Sequence, residues 1–207
     1  MKKSFKVAVV LSGCGVFDGS EIHETTLLLY YLDKKGVEVS YYAPDSSQYH
    51  VINHQKQSPE EGSSRNIRDE SARIARGEVK ALSDLNVNDI DSVIFPGGFG
   101  AAKNLSSFAV EGSDCTVDAE VARVIKEMSK QNKPQGFLCI APVLIAGLIN
   151  GVKVTIGSDD STAAAIEKMG ATHDVCSVED ICYDESNNII STPAYMLANS
   201  IRRAILT

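Results

Sequence analysis

The chain has 207 residues, of which 43% are hydrophobic, and it carries a formal net charge of −7 at pH 7. This length and apolar content favour one folded domain over a disordered chain. The negative charge gives no attraction to phosphate backbones, which argues against a nucleic-acid partner. No apolar run approaches the roughly 20 residues that a transmembrane helix needs, so we predict no membrane partner.

The first predicted element is a valine-rich strand at residues 5–11, a pattern typical of a buried parallel strand. The N-terminus also resembles a lipoprotein signal ending at Cys14, but its apolar run is shorter than the roughly 7–15 residues required. We therefore favour the strand. Glycines at residues 13–19 lack the G-x-G-x-x-G spacing of a dinucleotide-binding loop, because the third glycine comes one residue late. We predict no nucleotide cofactor.

Apolar residues at helical spacing predict a helix from about residue 20 to Gly36, and a second strand follows at residues 37–43. The polar residues 45–64 predict an excursion from the core, as a hairpin or lid. His50 and His54 have the spacing of a helical metal pair, but no third ligand is evident, so we predict no metal site.

The middle of the chain continues this alternation of helices and strands. The apolar pattern predicts a helix at residues 65–76, a strand at 91–95, a loop at 107–115 and a helix at 116–130. The strand at 91–95 ends in a glycine-rich turn, residues 96–100. Such a turn brings backbone N–H groups close to anything bound above the sheet.

One cysteine occupies a distinctive position between a strand and a helix. An apolar run from residue 136 ends at Cys139, and Pro142 then opens a predicted helix that extends to Ile149. The helix N-terminus predicts a lowered thiol pKa at this strand-to-helix elbow. Cys139 is therefore a candidate nucleophile, and the alternative is an ordinary buried core cysteine. The five cysteines are scattered and show no disulfide framework.

The remaining pattern predicts a strand at residues 153–156, a helix at 162–169, strands at 175–183 and 189–190, and a helix at 195–206. Alternating strands and helices indicate an α/β fold with a mostly parallel sheet covered on both faces. Ligands bind such sheets at the carboxyl ends of the strands. The glycine loop, the glycine-rich turn and Cys139 all lie at such ends, which favours the nucleophile interpretation.

Five segments together resemble the ElbB/ES1 family of the DJ-1/PfpI superfamily, which has the class I glutamine amidotransferase-like fold. They are VLSGCGV at residues 10–16, DGSEIHE at 18–24, FPGGFGAAKNL at 95–105, GFLCIAP at 136–142 and STPAYMLA at 191–198. The match spans nearly the whole chain. It implies a single domain, residues 1–207, folded as a flavodoxin-like three-layer sandwich with helices on both faces, with residues 45–64 as a polar excursion.

The resemblance also implies a site. Cys139 corresponds to the superfamily nucleophile, and Glu24 to the carboxylate that touches its sulfur. The amides of Gly98 and Ile140, with Gly97 as a further donor, correspond to an oxyanion hole. Glu21 lies on the same helical face as Glu24 and is expected to share the site. We further expect a homodimer, a cytoplasmic location and no cofactor.

The sequence departs from the superfamily at one position. Many members place a histidine after the strand that follows the elbow, near Gly157 here, where this chain has none. His23 neighbours Glu24 but lies about 100° around the helix, so we expect it to face elsewhere. The missing Cys–His pair argues against a peptidase or a glutaminase-type amidotransferase.

The leading hypothesis is a glyoxalase-III-like enzyme that converts 2-oxoaldehydes such as methylglyoxal and glyoxal to hydroxy acids. Cys139 would attack this small carbonyl substrate, and Glu24 would carry the proton. The alternative is a non-catalytic, stress-related protein that senses oxidation through Cys139.

Overall fold

The computed structural model describes residues 4–204. Its strands are β1 (Lys6–Val10), β2 (Glu38–Ala43), β3 (Ile52–Asn53), β4 (Ser58–Pro59), β5 (Lys80–Ala81), β6 (Ser92–Phe95), β7 (Gln135–Leu138), β8 (Lys153–Val154), β9 (Thr172–His173), β10 (Cys182–Asp184) and β11 (Ile189–Thr192). Its α-helices are α1 (Ile22–Lys34), α2 (Ile67–Ile74), α3 (Phe99–Lys103), α4 (Phe108–Glu111), α5 (Ala119–Lys130), α6 (Val143–Ala146), α7 (Asp160–Lys168) and α8 (Ile201–Ala204). Short 3₁₀ turns occur at Leu82–Asp84, Val87–Asp89, Gly112–Asp114 and Ala194–Met196.

A seven-stranded sheet in the order β10-β11-β7-β6-β1-β2-β5 forms the centre of the fold. Its strands pair in parallel except for β10, which is antiparallel to β11. The predicted flavodoxin-like α/β sandwich is therefore confirmed.

Strand β1 shows why both faces of this sheet are covered. Its residues Val7 and Val9 pack with apolar residues of α1 and α2, whereas Ala8 and Val10 join the larger core beneath α5 and α6. A strand buried on both sides needs a nearly continuous apolar run, which explains the valine-rich sequence. The carboxyl ends of β1, β6 and β7 consequently meet at one edge of the sheet.

The excursion at residues 45–64 contains an antiparallel hairpin formed by β3 and β4. It is anchored to the glycine loop after β1, because the Ile52 N–H donates to Asp18 Oδ2 at 2.8 Å and Gln48 Nε2 donates to the Asp18 carbonyl at 2.9 Å. Within residues 4–204, no helix is long and apolar enough to cross a membrane.

Polar caps explain why two helices are shorter than predicted. The predicted helix at residues 65–76 begins only at Ile67, because the Asn66 side chain accepts from the N–H groups of Arg68 and Asp69. The predicted helix at 116–130 begins at Ala119, because Asp118 caps it in the same way. Residues 107–115, predicted as a loop, contain α4 and a 3₁₀ turn.

The last third of the chain departs most from the sequence predictions. The strand expected at residues 153–156 is shorter and pairs with β9 in a separate parallel sheet. The strand expected at 175–183 is confined to β10, because Ser177 and Asp180 hydrogen-bond each other in a turn. The helix expected at 195–206 is wrong: a 3₁₀ turn and α8 replace it over the described residues, and residues 205–206 lie outside them.

Candidate active site

Cys139 follows the last residue of β7, in a backbone conformation that side chains rarely adopt. Its φ is 58°, in the left-handed region, and its N–H donates to the Thr192 carbonyl at 2.9 Å. For a residue other than glycine this conformation costs about 1–2 kcal/mol, so the surrounding structure must hold it in place. The turn brings the side chain to the edge of the sheet, and Cys139 is 8% exposed there.

The glycine-rich turn after β6 packs directly against this elbow. A Cβ at Gly97 would lie 2.3 Å from Cys139 Cβ and 2.4 Å from Glu24 Oε2, so a side chain cannot fit there. Gly98 has a φ of 96°, and a Cβ on it would lie 2.4 Å from the Gly19 carbonyl oxygen. Both positions therefore require glycine.

Glu24 lies in the first turn of α1 and is 3% exposed. Its Oε2 accepts from the Gly97 N–H at 3.1 Å, and its Oε1 accepts from the Tyr195 N–H at 3.0 Å. Burial raises the pKa of this carboxyl group to about 7, and the nearby Glu21 charge adds to the rise; the hydrogen bonds from Tyr195, Cys139 and Gly97 oppose it. Glu24 can thus hold or release a proton near neutral pH.

The thiol of Cys139 does not have the lowered pKa predicted from its position. Burial, followed by the charge of Glu24, raises its pKa well above the usual value, although the N–H groups of Gly98 and Ile140 donate to the sulfur and lower it. The prediction is wrong because burial and the charge of Glu24 outweigh the two backbone N–H donors at the sulfur. Two adjacent anions are disfavoured in this site, so the Cys139 thiol keeps its proton and donates a hydrogen bond to the Glu24 carboxyl group.

The remaining predicted site residues also lie here. The amides of Gly98 and Ile140 donate to the sulfur and so lie next to any atom that becomes bonded to it, whereas the Gly97 amide already donates to Glu24. Gly97 is therefore not available as an oxyanion donor in this arrangement. Glu21 caps α1 by accepting from the Glu24 N–H at 2.6 Å, and its own N–H donates to the Gly97 carbonyl at 2.9 Å.

A cavity of about 430 Å³ opens above Cys139. Its apolar lining includes Val16, Phe99, Phe108, Ile140 and Met196. Glu21 and Asp159 add carboxylates, and no lysine, arginine or histidine is among the lining residues. A larger depression of about 490 Å³ lies between Tyr49 and Asp118, but it contacts neither Cys139 nor Glu24. Because Cys139 lines the 430 Å³ cavity, this smaller cavity is the candidate substrate site.

None of the four histidines lines this cavity. Gly157, near the position where many superfamily members have a histidine, has a φ of 95°, and a Cβ there would lie 2.7 Å from Leu197 Cγ. His173 Nε2 accepts a hydrogen bond from the Ile156 N–H, and His54 Nε2 lies 3.8 Å from Asp18 Oδ1. His23 faces Tyr195 rather than Cys139. Within residues 4–204, no cluster of three or more His, Cys, Asp or Glu side chains could hold a metal ion.

Comparison with known proteins gives the family. No protein-family model matches the chain. The human "glutamine amidotransferase-like class 1 domain-containing protein 3, mitochondrial" is 50% identical over 205 residues, covering 95% of this chain and 76% of that protein. The rat "ES1 protein homolog, mitochondrial" is 50% identical over 200 residues, covering 92% of this chain and 75% of that protein. The chain belongs to the ES1 family.

Solved structures show how widely the fold is shared. An isoprenoid biosynthesis protein with an amidotransferase-like domain from Ehrlichia chaffeensis has a TM-score of 0.91 at 37% identity, covering 98% of this chain and 93% of that one. DJ-1beta from Drosophila melanogaster has a TM-score of 0.61 at 14% identity, covering 98% and 86% respectively, and shows the shared fold. The chain therefore has the fold seen in DJ-1beta.

These relatives also correct one expectation. The prediction of a cytoplasmic location is wrong, because the human and rat relatives are both named as mitochondrial proteins. Localisation depends on targeting signals, which the composition and core pattern of a folded domain do not reveal.

The structure adds a residue that the sequence reasoning did not assign to the site. Tyr195 lines the cavity, and its backbone N–H holds Glu24 in place. It lies in the segment STPAYMLA, whose resemblance to the family was already visible, but its contact with a residue 171 positions earlier could not be inferred from spacing.

Proposed function

We propose that this ES1-family protein is a glyoxalase-III-like enzyme, which converts 2-oxoaldehydes to 2-hydroxy acids without a dissociable cofactor. The observation that carries the proposal is the contact between Cys139, which lines the cavity, and the buried Glu24 beside it, with the amides of Gly98 and Ile140 donating to the sulfur. A nucleophile, a proton carrier and oxyanion donors are the parts that carbonyl addition requires.

In the first step the sulfur adds to the aldehyde carbon, called C1. A C–S bond forms, the thiol proton passes through Glu24 to the aldehyde oxygen, and a hemithioacetal results. The Gly98 and Ile140 N–H groups hold the charge that develops on that oxygen. A Glu24 pKa of about 7 suits this role, because a proton carrier is most effective when its pKa is near the working pH.

The second step is an internal redox reaction. C1 loses its hydrogen as a proton and is oxidised to the thioester level, while the neighbouring ketone carbon, C2, gains a proton and is reduced to an alcohol. Water then cleaves the C–S bond, which releases the 2-hydroxy acid and regenerates the thiol. The overall change is the addition of one water molecule, so no external oxidant or reductant is needed.

The lining of the cavity supports an uncharged substrate. Glu21 and Asp159 face it, and hydrogen bonds from Thr162 and Ser161 lower the pKa of Asp159, so this carboxyl group stays ionised at neutral pH. A substrate carboxylate would meet these charges without a lysine or arginine to pair with. Neutral 2-oxoaldehydes avoid that repulsion.

The experiment measures lactate formed from methylglyoxal by the purified protein. We expect turnover by the native protein and by Cys115→Ala, whose half-buried thiol is outside the cavity lining, and no turnover by Cys139→Ala. Activity that survives in Cys139→Ala rules the proposal out.

The redox-sensing alternative has less support. A raised thiol pKa lowers the thiolate fraction that oxidation and carbonyl addition both need, but only carbonyl addition also uses Glu24 as a proton carrier and the cavity as a binding site. Mass spectrometry after mild peroxide distinguishes the two functions, since selective Cys139 oxidation in a protein without turnover would favour the sensor.

A further inference from the structure

A second group of polar side chains meets at the rim of the cavity, outside the Cys139–Glu24 pair. His23 Nδ1 lies 3.1 Å from the Tyr195 hydroxyl and 4.0 Å from Glu21 Oε1. The two rings are 5.8 Å apart between centroids. The His23 side chain is 52% exposed, so it contacts solvent on one side and Tyr195 on the other.

Tyr195 connects this outer group to the inner pair. It lines the cavity, and its backbone N–H donates to Glu24 Oε1 at 3.0 Å. Burial, with added effects of the Glu21 and Glu24 charges, raises the pKa of its hydroxyl group. The hydroxyl group therefore keeps its proton at neutral pH and is available as a donor.

We propose that Tyr195 is the outer acid of the reaction and that His23 positions its hydroxyl and exchanges its proton with solvent. This inference rests on the proposed glyoxalase-III-like function. It follows from the contact between the hydroxyl of a cavity-lining tyrosine and a half-exposed imidazole, in a site that lacks the superfamily's usual histidine.

The internal redox step gives this pair a defined task. Two protons move: one from C1 to C2, and one from the C1 oxygen to the C2 oxygen. Glu24 carries the first. Tyr195 gives a proton to the C2 oxygen as the enediol forms, and the proton that later leaves the C1 oxygen returns to Tyr195 through His23 and solvent. The tyrosine and histidine thus end the cycle as they began it.

The test compares steady-state kinetics of His23→Ala, Tyr195→Phe and the double variant with methylglyoxal. We expect each single variant to lose about 10-fold or more in kcat, as is typical for general acid–base groups, with KM changed by less than about 2-fold. Because His23 is half exposed, added imidazole should restore turnover in His23→Ala. It should not do so in Tyr195→Phe or the double variant.

Two controls make the result specific. His54→Ala removes another partly exposed histidine beside a carboxylate, away from the cavity, and should keep native turnover. Cys139→Ala with imidazole measures the uncatalysed background. Native kcat in His23→Ala, or a loss that imidazole does not restore, overturns the role of His23. Native kcat in Tyr195→Phe overturns the role of Tyr195. A native protein without turnover instead removes the proposed function, and this inference with it.

Discussion

Replacing Glu24 by glutamine should change how the stability of the protein depends on pH. The folded structure raises the Glu24 pKa from 4.5 to about 7, whereas the unfolded chain restores the lower value. Between these values the folded protein binds more protons than the unfolded chain, so its stability falls as pH rises. With about 1.4 kcal/mol per pKa unit, integration from pH 5 to pH 8 gives a loss of roughly 2.5 kcal/mol from this group.

Glu24→Gln cannot ionise, so this loss should be absent from the variant. The assay is urea unfolding of both proteins at pH 5 and pH 8, from which the free energy of unfolding is obtained by linear extrapolation. We expect the stability of the variant relative to native protein to increase by roughly 2–3 kcal/mol between the two conditions. Glu38→Gln, at a position whose side chain is 58% exposed, serves as the control and should follow the native protein. A Glu24→Gln difference that stays constant with pH would refute the reasoning.

Two further substitutions test the packing around the site. Gly98→Ala should destabilise the protein by more than about 2 kcal/mol, because a left-handed φ is combined with a backbone clash. Gly36→Ala, where φ is also positive but nothing lies within 4 Å of the new Cβ, should cost only about 1 kcal/mol in the same unfolding assay. Equal costs would contradict the assigned contact with Gly19. Thr192→Val should change stability by less than about 0.5 kcal/mol, because the buried Thr192 hydroxyl has no hydrogen-bond partner. Ser191→Ala should cost about 1–3 kcal/mol, because it leaves the buried Thr155 N–H without its acceptor. A larger loss of stability in Thr192→Val than in Ser191→Ala would show that the hydroxyl contacts are misassigned.

The sequence predicted the centre of the fold better than its end. The strand before Cys139 and the valine-rich β1 were predicted correctly, because strands buried on both faces leave long apolar runs. The strand expected at residues 175–183 and the helix expected at 195–206 were not, because local side-chain turns and tertiary packing decide those segments. The homodimer remains a prediction.

In the site, too, some features were predictable from the sequence and others depend on tertiary contacts. Resemblance placed Cys139, Glu24, Gly98 and Ile140 together, and the structure brings them together. The pKa of the thiol could not be predicted from chain position, because it depends on burial and on a charge from a distant helix. The contact between His23 and Tyr195 joins residues 172 positions apart, so spacing could not reveal it.

The most direct test of the account is whether a 2-oxoaldehyde becomes attached to the sulfur of Cys139. Thiols add to excess methylglyoxal even without a proton carrier, only more slowly, whereas Glu24→Gln cannot move the C1 proton. The hemithioacetal should therefore accumulate in Glu24→Gln, and native mass spectrometry of the intact protein should detect it. The account predicts this adduct in Glu24→Gln and its absence in Glu24→Gln/Cys139→Ala, together with loss of hydroxy-acid formation in both. An equal amount of adduct in Glu24→Gln/Cys139→Ala, or native turnover in Glu24→Gln, would contradict it.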